Sequence, residues 1–254
     1  MAARERLRAE LGAALLGVGG ALSAADRLCH ACVDLLHVDG AAVSVMHDGS
    51  PRGTFGSSGE LSRRLDEFQF TYGEGPCLDA VRSGLPVLVS DLRDPDEQRW
   101  PVFGRAVLDS GVRAVFALPV LIAHSPVGAL DLFSSRPGPM SSDGLDGGLW
   151  AAELASLPLL NLMTSDIDWD AAGEGGDGLN QLASLERVEV YQATGMIIGQ
   201  LDVDAVEALI RLRAYAFAQG LTASEAAWAI VERRVSPDDD ESFRPPTDGG
   251  EGRS

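Results

Sequence analysis

Residues 114–133 read AVFALPVLIAHSPVGALDLF, and the reading of this stretch decides the fold class. Ala114 to Leu121 and Val127 to Phe133 are short apolar runs rich in Val, Leu and Phe, and His124-Ser-Pro126 breaks them with turn residues. Two such runs around a short break spell a β-hairpin. Pro119, His124, Pro126 and Asp131 also interrupt this most hydrophobic part of the chain, so no run reaches the roughly 18–20 apolar residues that a membrane span needs.

A second hairpin precedes it. Gly40 to Met46 reads as a strand, His47-Asp-Gly-Ser-Pro51 as a turn and Arg52 to Ser57 as the returning strand, with a further strand at Pro86-Val-Leu-Val-Ser90. Between the hairpins, Gly75 to Arg82 and Trp100 to Ser110 read as short helices. Upstream, residues 4–17 carry a stripe of Leu7, Leu11, Leu15 and Leu16, and a second helix begins at Ser23 and continues through Leu28, Cys32, Leu35 and Leu36. After Pro137-Gly-Pro139 a long helix runs from about Ser142 to Met163, with Pro158 set to bend it or end its regular part. The order predicts an α+β domain in which helices pack on a mostly antiparallel sheet.

The C-terminal third changes character. Residues 164–179 (TSDIDWDAAGEGGDGL) hold five acids, four glycines and no base, the composition of a solvated linker. Leu185 to Val235 then carries three short helices. The first ends near Gln200. Asp202 is the expected N-cap of the second, whose apolar face is Val206, Leu209, Ile210, Leu212 and Phe217 and which stops at Gly220. Thr222-Ala-Ser-Glu225 fits a capping box opening the third. Fifty residues bury only a small core, so this all-α module is expected to lean on a partner, through a stripe including Leu182, Leu185 and Val188. The tail from Ser236 has six acids, two Arg and three Pro and is expected to be disordered.

Composition limits function. The chain has 254 residues, 45% of them hydrophobic, and a formal charge of −18. An acidic surface repels polyanions, so any nucleic-acid contact must be local and shape-selective. Within Leu185 to Val235 five Arg face seven acids, a net of −2. The N-terminus lacks the apolar segment and small-residue cleavage site of a secretory signal, and a cytoplasmic location is expected.

Two family resemblances rest on quoted motifs. Val38-Asp-Gly-Ala-Ala-Val-Ser44, Gly73-Glu-Gly-Pro-Cys-Leu-Asp-Ala80, Gly84-Leu-Pro-Val-Leu-Val-Ser-Asp91, Arg99-Trp-Pro101 and Gly128-Ala-Leu-Asp-Leu132 resemble a GAF domain, the PAS-related small-molecule sensor fold, over about residues 22–163. Arg187, Gln192-Ala-Thr-Gly195-Met, Glu207-Ala, Leu212-Arg-Ala-Tyr-Ala216 and Ala226-Ala-Trp-Ala-Ile-Val231 resemble the ANTAR module, an RNA-binding antiterminator domain of bacterial signalling proteins. One departure is Thr194, where the ANTAR family often carries Lys. The organisation implied is an N-terminal helix over residues 1–21, a GAF-like sensor over 22–163, a linker over 164–179, an ANTAR-like domain over 180–236 and an acidic tail over 237–254. The implied function is a signal-responsive regulator that binds pairs of small hairpins in nascent RNA and promotes antitermination, as a homodimer. The resemblance puts Arg187, Gln192, Thr194, Arg211, Arg213 and Tyr215 at the RNA, and Cys77, Asp91 and Trp100 at a pocket for an unidentified small molecule or signal. Glu207 with Arg211 at i, i+4 also reads as a plain helix-surface ion pair. A turn-capping Asp and a Trp covering the sheet account equally for Asp91 and Trp100.

Other chemistry is thin. Cys29-His-Ala-Cys32 has C-x-x-C spacing, but both thiols share an apolar helical stripe and no second pair completes four ligands, so packing is the expectation. Cys77 stands at a helix start, where amide dipoles favour thiolate, yet free Cys is most often buried. His30, His37, His47 and His124 lie near no nucleophile motif, and Gly17-Val-Gly-Gly20 lacks the G-K-[ST] of a phosphate loop. No enzyme activity, metal or cofactor is expected. The competing functional classes are a DNA-binding regulator, for which Ala226, Ala227 and Trp228 are poor base readers, and a protein-interaction module that has lost RNA binding.

Overall fold

The computed structural model describes residues 2–16, 20–47, 50–164, 187–240 and 243. The chain divides into two compact units, Met1–Glu186 and Arg187–Ser254. The expected linker beyond Thr164, the stripe residues Leu182 and Leu185, and the tail apart from residues 236–240 and 243 lie outside the described residues.

In the first unit the elements are α1 (Ala2–Ala13), α2 (Ala21–Leu36), β1 (Gly40–His47), β2 (Ser50–Ser57), α3 (Glu60–Tyr72), α4 (Pro76–Ser83), β3 (Val87–Val89), α5 (Pro101–Asp109), β4 (Ala114–Ile122), β5 (Ser125–Ser134) and α6 (Ser142–Thr164). The five strands form one antiparallel sheet in the order β2-β1-β5-β4-β3. Both hairpins stand as the sequence indicated. The β4–β5 turn places Ala123 at φ 49° and His124 at φ 69°. Two consecutive positive φ values match the right-handed twist of the flanking strands.

Strand alternation divides the core. Ala41 and Val43 of β1, Leu130 and Leu132 of β5, and Phe116 and Leu118 of β4 face α1, α2 and α6 in one continuous apolar cluster that also takes in Cys29 and Cys32. Ala42, Val115 and Phe133 face α3 and α5 with Leu65, Phe68, Trp100 and Phe103. The unit is thus a sheet sandwiched between two helical layers. Pro158 lies inside α6 without ending it. On the first face β2 runs so close to α2 that a Cβ at Gly56 would lie 2.6 Å from Ala25 Cβ and 2.9 Å from the Asp26 backbone nitrogen.

Helix α3 has no counterpart in the sequence reading. Its buried face alternates Leu65 and Phe68 with Ser62, Asp66, Gln69 and Thr71, so the apolar period that marks a helix is erased.

The second unit holds α7 (Val188–Leu201), α8 (Ala205–Gln219) and α9 (Ala223–Val231). Thr222 Oγ1 accepts from the Glu225 amide at 3.2 Å and the Glu225 carboxylate accepts from the Thr222 amide at 2.7 Å, completing the capping box. Two expectations are corrected. Asp202 does not begin α8; it ends α7 in a left-handed conformation, and Asp204 accepts from the Glu207 amide at 2.8 Å as the N-cap. The buried face of α8 is Ala208, Leu212, Tyr215 and Ala216, while Val206, Ile210 and Phe217 are exposed.

Gly56→Ala drives a methyl into the α2 backbone, and overpacking of this kind costs about 1–3 kcal/mol. Gly104, in α5, has open space around its Cβ position, so Gly104→Ala is expected to be neutral or slightly stabilising. Thermal unfolding of the two variants checks the pair.

Candidate functional site

Polar side chains gather on the α3–α4 face of the sheet, where apolar ones would be expected. Ser44 on β1 is the register partner of Thr54 on β2 and of Ala129 on β5, while Ala42, two residues before it, is opposite Asp131. Strand alternation therefore turns Ser44, Thr54 and Asp131 to the same face across three neighbouring strands. Asp66 and Gln69, one turn apart on α3, descend onto this patch. All five are buried, Asp131 completely.

The hydrogen bonds run in two branches. Ser44 Oγ and Thr54 Oγ1 both donate to the Asp66 carboxylate, the latter at 2.5 Å. Gln69 Nε2 donates to Asp131 Oδ2 at 2.5 Å, and Gln69 Oε1 accepts from the Cys77 amide at 2.8 Å, which ties the start of α4 to α3. Asp131 Oδ1 is buried and has no hydrogen-bond partner. Burial, and next the Asp66 charge, push the Asp131 carboxyl well above the usual carboxylate range, against a lowering by the Gln69 hydrogen bond. The apolar wall beside the patch consists of Met46, Cys77, Leu78 and Ala129. Among the described residues no group of three His, Cys, Asp or Glu is placed to hold a metal ion.

The three residues expected at a pocket are scattered. Cys77 is buried beside the polar patch, and burial followed by Asp131 and Asp66 raises its thiol, outweighing any help from the helix start. Asp91 lies away from the patch in a bidentate pair with Arg113, 2.6 Å at the shortest, whose hydrogen bond lowers its carboxyl. Trp100 is buried in the α3–α5 cluster, donates from Nε1 to Asp79 at 3.0 Å and has the Arg99 guanidinium 4.3 Å above its ring. The sequence does not mark Ser44, Thr54, Asp66, Gln69 or Asp131 as site residues, although Asp131 stands out as an acid within an apolar run. The available signal was polar residues at same-face positions of apolar strands, with Asp131 between Leu130 and Leu132 the plainest.

The six residues expected at RNA fall into separate groups. Arg187, left-handed at φ 47°, donates to Ser224 Oγ at 3.2 Å. Burial and then the nearby Arg187 charge lower Arg213. Gln192 is exposed, and Thr194 Oγ1 donates back to the Val190 carbonyl at 2.7 Å. Arg211 pairs with Glu207 and donates to the Phe243 carbonyl at 2.8 Å. Tyr215 is buried with its ring stacked on Phe243, centroids 4.6 Å apart, so that face is not offered to a base. The tail is correspondingly not featureless: Phe243 is 0% exposed.

Residues 23–146 match the sequence profile of the GAF domain. This part of the chain is a GAF domain. Solved GAF domains share its fold. One, from the phosphoenolpyruvate-protein phosphotransferase of Coxiella burnetii, is 12% identical over 63% of this chain and 94% of that one, with a TM-score of 0.51. Another, from the corresponding Acinetobacter protein, is 11% identical over 63% and 94%, with a TM-score of 0.50. No curated protein matches the chain in sequence. A GAF domain points to a sensory or regulatory role. Among the described residues no helix is long and apolar enough to cross a membrane.

Because Asp131 has a raised carboxyl, its neutral form supports folding at low pH and that support is lost as the pH rises through the folded-state value. Asp131→Asn keeps an acceptor for Gln69 and removes the charge. It is expected to stabilise the protein by about 1–3 kcal/mol at neutral pH, with the gain shrinking as the pH falls toward the ordinary Asp range and absent below it; thermal unfolding across pH measures both. Phe243→Ala empties a fully buried site and is expected to destabilise the Arg187–Ser254 unit by about 3 kcal/mol or more, read as an earlier unfolding transition.

Proposed function

We propose that the chain is a signal-responsive transcription regulator: a GAF sensor over about residues 22–163 joined by a linker over 164–179 to an ANTAR-like output domain over 180–236 that binds paired hairpins in nascent RNA and promotes antitermination. The observation that carries this reading is the sequence of parts, a GAF domain followed by a separate three-helix unit with the ANTAR-like motifs on α7, α8 and α9. Arg213, in the middle of α8, is near enough to Arg187 for that charge to depress it, and in this reading Arg213 is the guanidinium offered to a phosphate, with the buried Arg187 behind it donating to Ser224. Gln192 and Thr194 lie on α7, and Arg211 can reach RNA only by leaving Glu207. Val206, Ile210 and Phe217 form an exposed apolar face on α8, which supports a dimer. The reading assigns no catalysis, metal or cofactor and places the protein in the cytoplasm.

Crosslinking the protein in cells and sequencing the attached nucleic acid identifies the target. Arg213→Ala is then expected to weaken binding of that RNA by about tenfold or more, the loss of one good contact of roughly 1–3 kcal/mol, without unfolding the α7–α9 unit. Affinity should fall shallowly with salt, about −0.7 in log K per log salt for each phosphate contacted. Equal affinity of the wild type and Arg213→Ala would remove this assignment. Protein partners recovered through the exposed α8 face, with no RNA bound at low salt, would favour an interaction module.

A further inference from the structure

We propose that the outer side of α9 is a docking groove for a basic polypeptide segment of a partner protein, in which an Arg or Lys side chain lies on Trp228 between the carboxylates of Glu225 and Glu232. This goes beyond the sensor and RNA readings and uses none of the residues assigned to RNA.

The groove follows from how α9 is packed. Its inner side, Ala223, Ala226, Ala227, Ala229 and Ile230, is buried in the helical unit. Glu225, Trp228 and Glu232 follow one another at i, i+3 and i+7 along the other side, so each carboxylate is a surface neighbour of the indole. Leu221 closes one end and Arg234 the other, and the five side chains line a cavity of about 560 Å³. That lies within the roughly 300–1,000 Å³ of ligand clefts. Trp228 is 48% exposed although the helix is held from its opposite side, so the ring is not required for packing. Trp is also the side chain that most often anchors a partner.

The charges around the ring choose the occupant. Two carboxylates flank the indole, and the single guanidinium of the lining, that of Arg234, is engaged by one of them, its Nε donating to Glu232 Oε2 at 2.8 Å. Glu225 Oε2 accepts from the Thr222 amide in the capping box, which fixes that carboxylate beside the ring and brings no positive charge to it. Just beyond Arg234 the chain adds Asp238 and Asp239, both exposed. Such a lining repels a phosphate backbone, whereas a guanidinium or ammonium stacks on the ring face and meets a carboxylate at each end. Glu225 and Glu232 are about 10 Å apart along the helix axis, at about 1.5 Å per residue. Two basic residues three positions apart in an extended segment span the same distance, at about 3.3 Å per residue. The formal charge of −18 draws a basic partner from a distance. Arg234 opposes the incoming cation, so the groove binds better without it.

The test uses the full chain, isotope-labelled for NMR, and three hexapeptides with blocked ends: Gly-Arg-Ala-Ala-Arg-Gly, the same peptide with citrulline for both arginines, and the same peptide with glutamate for both. Binding is read from the indole N–H signal of Trp228, assigned by its absence in Trp228→Phe, and affinities by calorimetry in wild type, Trp228→Ala, Glu232→Gln and Arg234→Gln. The arginine peptide is expected to move the Trp228 signal saturably and the other two to leave it in place. Its affinity should fall about threefold or more in Trp228→Ala and in Glu232→Gln and rise in Arg234→Gln, with helix content unchanged by circular dichroism. Equal binding of the citrulline peptide would overturn the charge class. Binding of the glutamate peptide or of an RNA hairpin at Trp228, weakened by Arg234→Gln, would make the groove a nucleic-acid surface instead. A Trp228 signal that shifts with protein concentration alone would seat a second copy there in place of a partner. No binding of the arginine peptide at low salt would overturn the groove as a docking site. None of these outcomes depends on Arg213, so the RNA reading stands or falls separately.

Discussion

A carboxylate inside a protein is costly unless something answers its charge, and this fold places two on one face of a five-stranded sheet. Asp66 and Asp131 decide how that face is built. The hydroxyls of Ser44 and Thr54 hold Asp66, so α3 is fixed to β1 and β2 by polar contacts as much as by Leu65 and Phe68. Gln69 then links Asp131 of β5 to the first turn of α4. The opposite face, under α1, α2 and α6, is held mainly by a continuous apolar cluster, with Asp26 of α2 accepting from the Ser57 amide of β2 at 2.8 Å. One face therefore carries the stability of the domain, and the other can spend some of it on a polar interior.

That division explains what could be read from the sequence. The hairpins, α2, α6 and the capping box of α9 follow from local rules, namely alternation, turn residues and side-chain caps, which do not depend on distant contacts. Helix α3 was invisible because its buried face is half polar, and its Asp66 and Gln69 make sense only beside Ser44, Thr54 and Asp131, which are far from them in the chain. Asp131 was visible as an acid interrupting an apolar run but carried no sign of which face it would take. In the second unit Asp202 and Asp204 offer the same capping chemistry two residues apart, and it is Asp204 that caps α8 while Asp202 closes α7. The buried side of α8 was misjudged because its apolar residues nearly encircle the helix, and the small Ala208 and Ala216 mark the closely packed side better than Val206 or Phe217.

Phe243 is a long-range contact of the same sort. A single aromatic in an acidic, proline-rich segment reads as solvated, yet it covers Tyr215 and its carbonyl takes a hydrogen bond from Arg211. Arg211 and Tyr215 are thereby part of the unit's own packing, as is Arg187, which is buried and donates to Ser224.

The state of Asp131 is where the account is most exposed. Carbon-detected NMR of the side-chain carboxyls in the full chain, followed through a pH titration and assigned with Asp131→Asn, reads that state directly. The account predicts that Asp131 keeps its proton well above the pH at which the exposed aspartates lose theirs. An Asp131 carboxyl that titrates with the surface aspartates, near about pH 4, would contradict it.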